Sequence, residues 1–199
     1  MGVSSEKLKN SIVITILPPR RITVKGALGV SSSKLISLAS VMTALVYVTT
    51  SISVPMPQPL GVWHIGDIAS FVVAFLCGPW IGAFACGVGA MLFDVWNPLW
   101  GGAFASWAPA TIVIRGFMGF MLGKLRHIFP RRPMLSELTV MILAATQKNV
   151  SYFLYDYFIR GPAAFLDLVT FFPLSAIDII VTIPLLASVR KALKTDYVV

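Results

Sequence analysis

The stretch between Trp63 and Trp107 constrains the whole chain: WHIGDIASFVVAFLCGPWIGAFACGVGAMLFDVWNPLWGGAFASW. It holds two apolar segments split by Gly78-Pro79, and the loops that bound them carry His64, Asp67, Asp94 and Asn97. A soluble domain of this size has one small core and cannot cover so long an apolar run, whereas a bilayer can. Tryptophans gather at the two ends of the stretch and at its one break, where interfacial belts place amphipathic rings. Composition agrees: 57% of the residues are hydrophobic and 12% charged, with a mean hydropathy of +0.84. The chain reads as an integral membrane protein, and its 199 residues can supply about six spans of roughly 20 residues each. That leaves no room for a sizeable soluble catalytic domain.

Taken in order, residues 1–33 read as a basic cytoplasmic tail with Lys7, Lys9, Arg20, Arg21 and Lys25. Its apolar stretch Ile12 to Leu17 is stopped by Pro18-Pro19, too short to span and followed by no small-residue cleavage site, so it is not read as a signal peptide. The six-helix transmembrane domain then covers residues 34–194. The first span runs from Leu35 to about Ser53 and gathers small side chains at spacings of three and four, a face on which another helix can approach closely. A short second span, Ile65 to Cys77, closes at Gly78-Pro79. The third, Trp80 to Val95, is rich in Gly and Ala and should sit deep in the bundle. Spans four, five and six are placed at 107–125, 135–158 and 163–189.

Charge tests the number of crossings. With six spans and the N-terminus inside, thirteen of the sixteen basic residues fall on the cytoplasmic side, including Arg126, Arg131, Arg132, Arg190 and Lys191. Arg160 alone falls outside, and Arg115 and Lys148 lie within spans. If residues 65–95 crossed only once, the Arg126–Arg132 loop would face away from the basic tail and the positive-inside bias would collapse. The expectation is therefore an all-α membrane protein with six transmembrane helices and both termini cytoplasmic. Its net charge of +8 reflects that sorting and not a nucleic-acid surface.

This topology brings Trp63, His64, Trp96 and Asn97 to one outward mouth, with Asp67, Asp94 and Asp156 just beneath it. Arg115, Lys148 and Asp178 lie deeper. Charges at mid-membrane cost at least about 2.5–3.5 kcal/mol each unless paired or hydrated. A Lys148–Asp178 or Arg115–Asp178 ion pair is one expectation, and the floor of an outward-opening ligand cavity is the other; the two are compatible. Asn149, Tyr152 and Asp156 share one face of span five, with Lys148 at its edge. Rings at this mouth suit an aromatic heterocycle such as a flavin, a pyrimidine or a thiamine-like compound.

Ile65-Gly66-Asp67, the Gly78-Pro79 turn, the Gly/Ala-rich Trp80–Ala90, Thr111-Ile112-Val113-Ile114-Arg115-Gly116 and the Gly119–Gly123 segment together resemble the substrate-binding S component of energy-coupling factor (ECF) transporters. The resemblance spans roughly residues 35–190. It implies a multi-pass protein of the plasma membrane that captures a vitamin or related micronutrient from outside. Delivery would then occur by toppling while docked on a transmembrane coupling subunit driven by two ABC ATPases. It also implies that the small face of the first helix is the docking surface. Here that face carries Ala39, Ser40, Thr43 and Ala44, a Ser/Thr-substituted form of the family's alanines four apart.

The chain has no phosphate-cradling Gly-x-x-x-x-Gly-Lys-Ser/Thr sequence, so energy must come from other subunits. Its two histidines, His64 and His127, lie in different loops, and neither His-Glu-x-x-His nor Gly-x-Ser-x-Gly occurs. No enzyme, cofactor or metal site is expected. The rival reading is a stand-alone ion-coupled carrier in which Lys148 and Asp178 relay protons, but no internal inverted repeat supports it.

Overall fold

A computed structural model describes residues 32–56 and 61–193. The expected tail lies outside the described residues except for Ser32 and Ser33, which open the first helix. Contacts divide the chain after Leu35, and the helical bundle belongs to the unit that begins at Ile36.

Among the described residues the elements run in chain order: α1 (Ser32–Ser51), β1 (Ser53–Pro55), β2 (Val62–His64), α2 (Gly66–Val95), α3 (Ala108–Leu125), α4 (Pro133–Arg160), a 3-10 turn (Gly161–Ala164) and α5 (Phe165–Leu193). Among the described residues four helical stretches are long and apolar enough to cross a bilayer: Ser32–Ser51, Gly66–Val95, Ala108–Leu125 and Pro133–Leu193. The second and the fourth each contain a break at a glycine with positive φ, Gly78 (φ 80°) and Gly161 (φ 62°). A β-carbon would strain either backbone, and Pro79 removes the amide that would continue the helix.

The break in α2 folds it back on itself. Cys86 Sγ reaches the carbonyl of Ser70 at 3.5 Å, and a β-carbon on Gly82 would lie 2.9 Å from Ala74 Cα. Residues that pair eight and sixteen apart about Gly78 can meet only if the two arms, 66–77 and 79–95, run antiparallel. The hairpin is capped by Arg126, which donates to the Phe75 carbonyl at 2.9 Å and so satisfies an acceptor left open by the broken helix.

The hairpin is also the centre of the bundle. Gly119 of α3 crosses Gly82 so closely that a β-carbon would collide with its carbonyl, and Gly123 crosses the Gly78-Pro79 backbone in the same way. On its other side, Gly89 packs against the Thr43 carbonyl and Val46 of α1. Small residues thus allow backbones to approach where lipid supplies no hydrophobic drive between helices. The core holds Phe71, Phe75, Met118, Leu122, Met141 and Leu186, all fully buried. Large apolar side chains point outward instead, among them Val113 (68% exposed), Phe158 (89%) and Val169 (75%), as a lipid-facing surface requires.

Two short strands were not expected. Ser53 to Pro55 pairs antiparallel with Val62 to His64, in the register Ser53↔His64, Val54↔Trp63 and Pro55↔Val62. The strands are three residues each, too short to show an alternating pattern among prolines. α4 runs unbroken through Gln147-Lys148-Asn149.

Candidate functional site

One end of the bundle collects the end of α1, the start and return of α2, the start of α3, the end of α4 and the start of α5. Between them lies a cavity of about 430 Å³. Its floor is built from buried charge. Asp67, in the first turn of α2, forms an ion pair with Arg115 Nη2 at 2.6 Å and accepts a hydrogen bond from Lys148 Nζ, with all three side chains at most 10% exposed. Arg115 also donates to Ser70 Oγ at 3.1 Å, and Lys148 to Ser175 Oγ at 3.4 Å. Asn149 Nδ2 donates to Ser175 Oγ at 3.0 Å and to the Phe171 carbonyl at 3.3 Å. Arg115, Lys148 and Asn149 line the cavity while Asp67 lies behind them, so the floor offers donors.

The counter-ion is therefore Asp67 and not Asp178, which corrects both ion pairs expected from depth along the spans. The long Arg and Lys stems let both cations meet a carboxylate in the first turn of α2. Asp178 is 2% exposed, and its Oδ1 has no hydrogen-bond partner among the described residues.

The walls are aromatic and polar. Phe93 stacks on Phe104 (centroids 5.8 Å apart, 13° between planes), and Phe104 meets Trp107 edge-on at 6.3 Å. Tyr152 donates to Thr111 Oγ1 at 2.9 Å, and Thr111 donates in turn to Asp94. His64 packs on Phe93 at 5.9 Å, and its Nδ1 is buried without a hydrogen-bond partner among the described residues. Burial pushes the imidazole down to about 3, with the Arg115 guanidinium acting in the same direction, so His64 is neutral at physiological pH. At the end near the α4–α5 turn, Asp156 accepts from Trp107 Nε1 at 2.5 Å and from Arg160 at 3.0 Å, while Arg160 also bonds Asp167 at 2.5 Å.

Of the ten residues expected at the site, His64, Asp94, Lys148, Asn149, Tyr152 and Asp156 line the cavity, and Asp67 supports its floor. Trp63 precedes His64 in β2 and is not among the lining residues. Trp96 is 59% exposed on the surface. Asn97 is spent on its own loop: Nδ2 donates to the Phe93 and Gly101 carbonyls, and Oδ1 accepts from the Leu99 and Trp100 amides. Phe104, Trp107, Arg160, Asp167 and Phe171 were missed. Only Arg160 left a signal, its i, i+4 spacing from Asp156.

The small face of α1 divides in two. Thr43 is buried and Ala39 half-buried, whereas Ser40 and Ala44 are exposed. Thr43 turns its hydroxyl back onto the Ala39 carbonyl at 2.7 Å, which keeps a polar group satisfied inside the bundle.

The chain is similar to a curated protein of Pyrococcus woesei, described as "Uncharacterized protein in gap 3'region", with 39% identity over 80 residues, which is 40% of this chain. It spans about half the length of that relative. A family model described as "ECF-type riboflavin transporter, S component" matches residues 30–193, from before α1 to the end of α5. The chain therefore belongs to the family of ECF-type riboflavin transporter S components.

Proposed function

We propose that this protein captures riboflavin, or a flavin closely related to it, in the cavity above Arg115 and Lys148. Delivery is to a transmembrane coupling subunit powered by two separate ABC ATPases. The observation that carries the reading is the cavity itself: flat rings along one wall, hydrogen-bond donors on the floor and a volume of about 430 Å³, within the usual range for a small-molecule site. The edge of a flavin ring presents carbonyl and ring-nitrogen acceptors that suit Arg115 and Lys148 and a ring N–H that suits the Asn149 carbonyl, and its face suits the Phe93–Phe104–Trp107 wall. Trp63, Trp96 and Asn97 act indirectly in this reading, by shaping the loops at the mouth. Ser40 and Ala44 form the docking face for the coupling subunit, because they are small and exposed on α1.

Six crossings with both termini cytoplasmic complete the proposal, supported by the hairpin at Gly78 and by the basic loop after α3. Residues 1–33 form the cytoplasmic tail in this reading and 34–194 the substrate-binding domain. The ion-coupled carrier is not favoured, because Lys148 is committed to Asp67 and not to Asp178. Uptake of labelled riboflavin by cells lacking their own flavin importer separates the two. Uptake should require co-expression of a coupling subunit and its ATPases. Uptake by this chain alone, with both absent, would instead support the carrier.

A further inference from the structure

We propose that the loop between α3 and α4 holds the headgroup of an anionic phospholipid, with Arg131 and Arg132 taking the phosphate and Ile128, Phe129 and Leu135 taking the apolar part beside it. The loop shares no residue with the Arg115–Lys148 cavity. Residues 124–136 carry Lys124, Arg126, Arg131 and Arg132 and no carboxylate. Arg126 donates to the Phe75 carbonyl, but Arg131 and Arg132 are exposed and in no ion pair among the described residues. Two adjacent guanidinium groups without a counter-ion repel each other, and a phosphate bound between them relieves the repulsion with charge-assisted hydrogen bonds.

The loop has a fixed shape. Ser136, fully buried in the first turn of α4, accepts from the Phe129 amide at 3.3 Å and donates to the Arg126 carbonyl at 2.9 Å. The Arg132 amide donates to the Phe129 carbonyl at 3.0 Å and closes a turn around Pro130. Ile128, Phe129 and Leu135 are left 44%, 41% and 42% exposed, and with Pro130 and the two arginines they line an open groove of about 500 Å³. A free phosphate would meet only the arginines, whereas a phospholipid carries its phosphate on an apolar body and matches the whole groove. Position agrees with this. α3 has 18 residues, about 27 Å of helix against roughly 30 Å of bilayer hydrocarbon, so the loop emerges where headgroups begin.

The test is native mass spectrometry of the purified full chain in detergent, titrated with phosphatidylglycerol or phosphatidylcholine. The two share phosphate and acyl chains and differ in net charge. The parent should retain phosphatidylglycerol at least about tenfold more tightly. Arg131→Gln with Arg132→Gln should abolish that preference, and Phe129→Ser should weaken retention with both charges intact. Lys191→Gln, which removes an exposed charge at the end of α5, should leave it unchanged. Equal retention of the two lipids by the parent, or an equal loss in Lys191→Gln, would overturn the site in favour of diffuse attraction. Displacement of the lipid from the parent by inorganic phosphate would overturn it in favour of a simple anion site. A double variant that keeps its lipid but no longer co-purifies with the coupling subunit would overturn it in favour of a protein interface.

Discussion

Asp67 holds together three helices that would otherwise bring two buried cations against each other. Removing one partner of a buried ion pair leaves an uncompensated charge and costs about 3–5 kcal/mol, more than deleting a whole pair. Asp67→Asn strands both Arg115 and Lys148, whereas Lys148→Met leaves the Arg115–Asp67 contact in place. Thermal unfolding in detergent should show Asp67→Asn to be clearly the less stable of the two, and equal melting points would mean that another group neutralises the cations. For binding, the residue of interest is Asn149. Its amide is held by Ser175 and the Phe171 carbonyl, which leaves a lone pair of its carbonyl for a donor on the ligand edge, and Asn149→Ala should weaken riboflavin binding by about 1–3 kcal/mol, roughly tenfold or more. An unchanged dissociation constant in a folded variant would place the ligand away from α4. Sequence alone revealed the polar face of α4, because Lys148, Asn149, Tyr152 and Asp156 stand at helical spacing within an apolar segment. It did not reveal that Asp67 is the counter-ion, since that depends on how far two long side chains reach across three helices. Nor could it tell Asn97, whose side chain is consumed by its own loop, from a ligand group.

At the scale of elements, the legible features were those with strong local causes. Gly78-Pro79 marks a break because proline cannot continue the helix and only glycine accepts the backbone that joins the arms. The β1–β2 pairing was invisible because it is set by where α1 and α2 end, not by three residues of pattern on each side. Close packing makes two elements sensitive to added bulk. Gly123 lies against the Gly78-Pro79 backbone, which cannot yield as a flexible side chain would, so Gly123→Ala should destabilise the protein by about 1–3 kcal/mol in thermal unfolding. An unchanged melting point would mean that α3 crosses the hairpin less closely. The two halves of the small face on α1 should likewise behave differently. Ser40→Trp, on the exposed side, is expected to abolish transport while sparing riboflavin binding. Thr43→Trp, wedged against α2, should impair folding itself. Equal loss of binding and transport in Ser40→Trp would make that side internal packing.

For the whole molecule, class and topology rest on very little: an apolar run too long for any soluble core, one break in it, and the sidedness of lysine and arginine. On a background lacking Cys77 and Cys86, a cysteine at Arg131 should resist labelling from outside intact cells and one at Pro98 should be labelled, and outside labelling at both would end the six-crossing topology. What the molecule as a whole does depends on its cavity, whose aromatic wall was only partly legible because Phe93, Phe104 and Trp107 come from a helix and the loop beyond it and carry no motif. The most direct test is titration of the purified chain in detergent with riboflavin, monitoring quenching of flavin fluorescence as the ring stacks on that wall. Saturable quenching at one flavin per chain, weakened in Asn149→Ala, is the expected result. A folded parent protein that leaves riboflavin fluorescence unchanged at every concentration would contradict it.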